Sequence, residues 1–121
     1  MLTAKQAAAV AAKALGDKMG ADIRLIGISD VSTLADYFLI CTGTSATHVK
    51  TLCDAVELAM QDAGEELLSR EGHRGGSWVL MDFGSVVVHV FTQESRAFYN
   101  LERIWQDGIQ VDLSAILQPD A

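Results

Sequence analysis

Residues 77–92 restrict the possible folds of this chain more than any other stretch. Ser77-Trp78-Val79-Leu80-Met81-Asp82-Phe83 and Val86-Val87-Val88-His89-Val90-Phe91 read as two strands joined by Gly84-Ser85. Glycine at the first turn position suits a two-residue hairpin. The turn fixes the register, and the register predicts the partners. On one side Phe83 faces Val86, Met81 faces Val88 and Val79 faces Val90; on the other, Asp82 faces Val87, Leu80 faces His89 and Trp78 faces Phe91. The first side is purely apolar and requires a core above it. The second combines two large aromatic rings, a carboxylate and an imidazole. A sheet surface of that composition suits docking better than it suits a core or a plain solvated face.

The chain has 121 residues, which makes one domain with a single good core. Half of it is hydrophobic and it holds one proline, a globular composition rather than a disordered one. No apolar run reaches the roughly 18–20 residues needed to span a bilayer, so no membrane partner is expected. Met1 to Gln6 opens a helix pattern and lacks the basic start and apolar centre of a signal peptide. Cys41 and Cys53 fall in apolar patterns and read as buried free thiols of a cytoplasmic protein. Nine basic residues stand against sixteen acidic ones, a formal charge of -7. Binding a phosphate backbone draws on Lys and Arg, so direct binding to naked nucleic acid is not expected. An acidic domain is instead drawn to a basic protein patch; a charge that serves solubility alone is the alternative.

Along the chain, Thr3 with Gln6 forms a capping box for a helix over roughly residues 4–19. Asp22 to Ile28 is a first strand, and the apolar run Tyr37 to Cys41 is a central one. Thr44 or Ser45 caps a second helix with a stripe of Val49, Leu52, Cys53, Val56, Ala59, Met60 and Ala63, closed by Gly64. Leu67 and Leu68 begin a short third strand, and residues 72–76 link it to the hairpin. Thr92 or Ser95 caps a third helix with Phe98, Leu101, Ile104 and Trp105 on one stripe, ending near Gly108. Residues 109–121 form a variable tail whose Val111, Leu113, Ile116 and Leu117 suit a short extra helix, so the main domain is 1–108. The expected fold is α/β of the α+β type, a mixed five-stranded sheet packed with helices and containing one crossover.

Candidate chemistry is sparse. Gly43-Thr44-Ser45 at a helix start resembles an anion cradle, but no Gly-Lys-Ser/Thr follows, and an ordinary turn with an N-cap accounts for it. His48, His73 and His89 show no metal-ligand spacing, so neither a metal nor another cofactor is expected. Asp82 and His89 share a hairpin face, yet no nucleophile lies on it, and a hydrogen-bonded polar spot among aromatics explains the pair more simply. Trp78 and Phe91 are either core beneath the third helix or part of the open surface. Tyr99 and Glu102 lie together off the main helical stripe and would rim such a surface.

These segments taken in order resemble a known family. Asp36-Tyr37-Phe38-Leu39-Ile40-Cys41-Thr42-Gly43-Thr44-Ser45, His48-Val49-Lys50, Glu71-Gly72, Trp78-Val79-Leu80-Met81-Asp82-Phe83-Gly84, Val86-Val87-Val88-His89-Val90-Phe91, Phe98-Tyr99-Asn100-Leu101-Glu102 and Trp105 resemble the ribosomal silencing factors, the Iojap-related RsfS family, over about residues 4–107. The resemblance implies a nucleotidyltransferase-like core without its chemistry, and no Asp-x-Asp pair follows the Gly43-Thr44-Ser45 turn to hold magnesium. It implies a non-enzymatic translation repressor. The partner it implies is the large ribosomal subunit, bound through its universal protein fourteen, and binding obstructs joining of the small subunit under starvation. It also makes a homodimer plausible. Trp78, Leu80, Asp82, His89, Tyr99, Glu102 and Trp105 match the family's motif positions and are the expected partner-binding residues. The competing classes are a nucleotide-binding transferase-like enzyme using His48 or His89, and a self-associating scaffold paired through its apolar sheet surface.

Overall fold

In a computed structural model, residues 2–104, 108–111 and 113 are described, apart from the side chains of Arg74 and Ile104. The first helix, α1 (Ala4–Asp17), starts with the expected capping box. The Gln6 N–H donates to Thr3 Oγ1 at 3.1 Å, and the Thr3 N–H donates to Gln6 Oε1 at 2.9 Å. Ala7, Ala8, Ala11 and Ala12 are buried, and their small side chains let the helix backbone lie close to its neighbours. Gly20 ends this segment because nothing larger fits. A Cβ there would stand 2.5 Å from Cys41 Sγ and 2.9 Å from the Leu15 carbonyl oxygen.

Strands β1 (Ala21–Gly27) and β2 (Tyr37–Gly43) pair antiparallel, and α2 (Ala46–Asp62) follows, capped by Ser45. Strand β3 (Ser69–His73) leads through a 3-10 turn at 74–76 into β4 (Trp78–Asp82) and β5 (Val86–Thr92). The hairpin has the register expected from its turn, with Trp78 opposite Phe91, Leu80 opposite His89 and Asp82 opposite Val87. Gly84 occupies the left-handed region at φ 85°. Parallel pairing of β5 with β2 closes the crossover through α2. Strand β5 lies in the sheet interior, and Val86 to Phe91 are all buried. Burial on both faces explains its run of valines.

The fold is mixed α/β, as expected, but the sheet has six strands in the order β3-β4-β5-β2-β1-β6. The sixth, β6 (Ile109–Val111), comes from the segment expected to be helical and pairs antiparallel with β1. Without it the outer edge of β1 would leave its peptide groups unpaired. Leu113 is buried in the core; Ile116 and Leu117 lie outside the described residues.

Helices α1 and α2 cover one sheet face, packing on Leu25, Leu39, Cys41, Met81, Val88 and Val90. The other face carries a smaller cluster of Ile26, Ile28, Ala35, Phe38, Ile40, Val87 and Phe91. It is covered in part by α3 (Gln93–Tyr99), capped by Thr92. The expected long third helix breaks at Asn100, whose φ of 46° is left-handed, and a single turn, α4 (Leu101–Ile104), follows. The break changes which residues face inward. Ser95 and Arg96 are buried, whereas Phe98 is 73% exposed. The expected stripe from Phe98 to Trp105 therefore does not form a continuous inner face, and Trp105 lies outside the described residues.

Candidate functional site

The partly covered face is built by register. Ser69 pairs with Asp82, Glu71 with Leu80 and His73 with Trp78, so β3 extends the hairpin's mixed face by one more row. Sequence reading ended the third strand too early and missed this row, because Glu71-Gly72-His73 has no strand signature of its own. Cover diminishes toward β3 and β4. Phe91 and His89 are buried, Trp78, Leu80 and Asp82 are half-buried, and Glu71 is exposed.

Trp78 is the centre of this surface. Its ring lies 5.3 Å from Phe91, 4.5 Å from Tyr99 and 4.8 Å from His73. Tyr99, on the last turn of α3, also meets Phe98 edge-on at 5.1 Å. Trp78, Leu80, Tyr99 and Leu101 all pack against the smaller core cluster. A cleft of about 240 Å³ opens beside them, lined by Ser77, Thr92, Glu94, Ser95, Phe98 and Tyr99.

His89 does not lie on the surface as expected; it is 4% exposed. The register places it opposite Leu80 in the central strand, and Trp78 folds over it. The indole N–H of Trp78 donates to His89 Nδ1 at 3.2 Å. That bond requires a bare Nδ1 and puts the proton on Nε2. Burial pushes the imidazole pKa down to about 4. Nε2 is buried with no hydrogen-bond partner among the described residues, an arrangement that costs about 1–3 kcal/mol.

Two other expected contact residues carry internal duties. Asp82 accepts the Gly84 N–H at 2.8 Å and braces the hairpin turn. Glu102 accepts from Arg96 Nε at 2.9 Å, a pairing that the backbone turn at Asn100 makes reachable. Arg96 was not singled out by sequence reading. Its guanidinium, nearly buried, also donates to the Asp22 carbonyl and to Thr42 Oγ1 at 2.8 Å, tying α3 to β1 and β2. Its second terminal nitrogen stands 3.5 Å from Asp22 Oδ2, close enough for an ion pair but without a hydrogen bond. Arg96 lies on the inner side of the helix with Ser95, but an arginine in a short helix carries no sign of burial.

The Gly43-Thr44-Ser45 turn is occupied by its own side chains. The Thr44 N–H donates to His48 Nδ1 at 2.9 Å, Ser45 Oγ accepts the His48 N–H at 3.1 Å, and His48 Nε2 lies 2.9 Å from the Lys18 carbonyl oxygen. A Cβ on Gly43 would stand 3.0 Å from Val49 Cγ2, so close packing against α2 explains that glycine. This turn joins α1 to α2, and both ring nitrogens of His48 are engaged within it.

Comparison with known proteins agrees with this architecture. The family model described as "Ribosomal silencing factor during starvation" matches residues 1–121. The ribosomal silencing factor RsfS of Halalkalibacterium halodurans is 37% identical over 108 residues, covering 89% of this chain and 92% of that one. The Bacillus subtilis protein of the same name is 39% identical over 104 residues, covering 86% and 88%. A Chromobacterium violaceum protein of known crystal structure superposes with a TM-score of 0.84 at 34% identity, covering 87% of this chain and 88% of that one. With the sheet, its two unequal faces and these likenesses in agreement, the chain belongs to the ribosomal silencing factor family.

Proposed function

We propose that this protein represses translation in the cytoplasm by docking the β3–β4 half of its open face, together with α3, on the large ribosomal subunit. The proposed seat is the subunit's universal protein fourteen, and the docked domain keeps the small subunit from joining under starvation. The observation that carries this reading is the half-covered apolar patch of Trp78, Leu80 and Tyr99, with exposed Phe98 at its rim. Acidic groups border it at Glu71 on β3 and Glu94 on α3. The whole chain carries -7, which favours a basic protein patch over exposed RNA. Such a role needs no turnover. It needs bulk, a specific patch of about 800 Å² and enough affinity to compete with subunit joining.

Sedimentation through a sucrose cushion with purified large subunits tests this, paired with light scattering of subunit joining. The wild-type protein should pellet with the large subunit and lower the joining signal. Truncation of a central tryptophan costs about 2–4 kcal/mol, so Trp78→Ala should bind about 30- to 1000-fold more weakly. Glu71→Lys should weaken binding without disturbing the fold, since that side chain is exposed. If both variants pellet like the wild type, the docking surface lies elsewhere.

A further inference from the structure

We infer that His89 is a positioning residue for the docking face: its Nδ1 accepts the Trp78 indole N–H and thereby fixes the ring orientation presented to the partner. The inference rests on the reading of the open face as the ribosome contact. The indole of Trp78 packs on the rings of Phe91, Tyr99 and His73. The 3.2 Å hydrogen bond adds a directional constraint that ties the indole N–H edge to His89.

Stability alone does not account for a histidine here. Position 89 lies in a strand otherwise composed of Val86, Val87, Val88, Val90 and Phe91 up to its final threonine, all buried. An aliphatic side chain would fill the site with no desolvated ring and no unpartnered Nε2. Among the described residues, the only side-chain hydrogen bond His89 makes is to Trp78. The imidazole is itself held in place, parallel to Phe91 within 7° at 6.1 Å and edge-on to Phe38 at 5.0 Å. It is a rigid acceptor, and burial keeps its Nδ1 lone pair free at neutral pH.

The test combines a spectroscopic reading with a binding one. In protein labelled with nitrogen-15, the Trp78 indole resonance is identified by its absence in Trp78→Phe. The wild-type resonance should lie downfield and exchange slowly with deuterium. In His89→Leu it should move toward the free-indole position and exchange fast, and binding to large subunits should fall at least tenfold. His89→Asn places an acceptor oxygen near the Nδ1 position and should restore both. Replacing Trp78 by its benzothienyl isostere, which lacks the N–H but leaves His89 intact, should weaken binding like His89→Leu even if that variant folds poorly. Loss of binding in Trp78→Ala together with wild-type binding in His89→Leu or the isostere would overturn the positioning role alone. Wild-type binding by Trp78→Ala would overturn the docking surface itself.

Discussion

Acidification should destabilise this protein through one residue. His89 holds its imidazole neutral, with a pKa near 4 in the fold against 6.5 for a free side chain. Between those values the unfolded chain binds a proton that the native chain excludes, so stability falls as the pH drops from about 6.5 toward about 4. A gap of about two and a half pH units at about 1.4 kcal/mol each gives a full effect of about 3.5 kcal/mol. More than half of that, about 2 kcal/mol, is already lost at about pH 5. Against a total stability of about 5–15 kcal/mol, this is a large fraction. Protonation at Nδ1 would also set a donor against the Trp78 indole N–H and break that hydrogen bond. Urea unfolding at pH 7.5 and pH 5, followed by far-ultraviolet circular dichroism, reads the effect. For a slope of about 2 kcal/mol per molar, the midpoint should fall by about 1 M. Asp54, held below its ordinary 3.8 by the Lys50 ammonium and then by Arg70, loses its contribution only in more acidic solution. His89→Asn should flatten the pH dependence, because nothing titrates at that site. An equal midpoint shift in wild-type and His89→Asn proteins would refute the reasoning.

Three further outcomes follow from the packing. Arg96→Met should cost about 3–5 kcal/mol, because it leaves Glu102 and the Asp22 carbonyl without their buried partner; thermal melts would show the loss, and near-ultraviolet circular dichroism would show Tyr99 released from Trp78. Gly20→Ala should cost about 1–3 kcal/mol in urea unfolding, since its methyl group would meet Cys41 Sγ and the Leu15 carbonyl. Phe98→Ser should leave the melting temperature within a degree or two of wild type while weakening large-subunit binding in a sedimentation titration, because that ring is mostly in solvent.

The hairpin was legible to the residue. Strand alternation together with a glycine turn admits one register, and no tertiary contact is needed to choose it. The capping box of α1, the Ser45 start of α2 and the crossover were legible for similar local reasons. Strand β6 was not, because three residues gain strand geometry only from an open edge on β1, from 82 to 86 positions earlier in the sequence but adjacent in space. The break at Asn100 hides behind a periodicity that continues through it, and so Phe98 was assigned to the wrong side. At the site, the sequence identified Trp78, Leu80 and Tyr99 as neighbours across a mixed face. It could not distinguish an imidazole on that face from one beneath it, because depth depends on how far α3 and Trp78 extend over β5. Asp82 and Glu102 read as surface charges because their real partners, the Gly84 N–H and Arg96, are fixed by turn and helix geometry.

Oxidative footprinting of this protein with and without bound large subunits shows which face docks, because both faces carry exposed reporters. Phe98 at 73% exposure marks the proposed docking face, while Met19 at 82% and Leu58 at 60% mark the helical side. Docking through the open face should protect Phe98, Tyr99 and Trp78 on binding while Met19 and Leu58 oxidise as before. Protection of Met19 and Leu58 with Phe98 and Trp78 still reactive would contradict it.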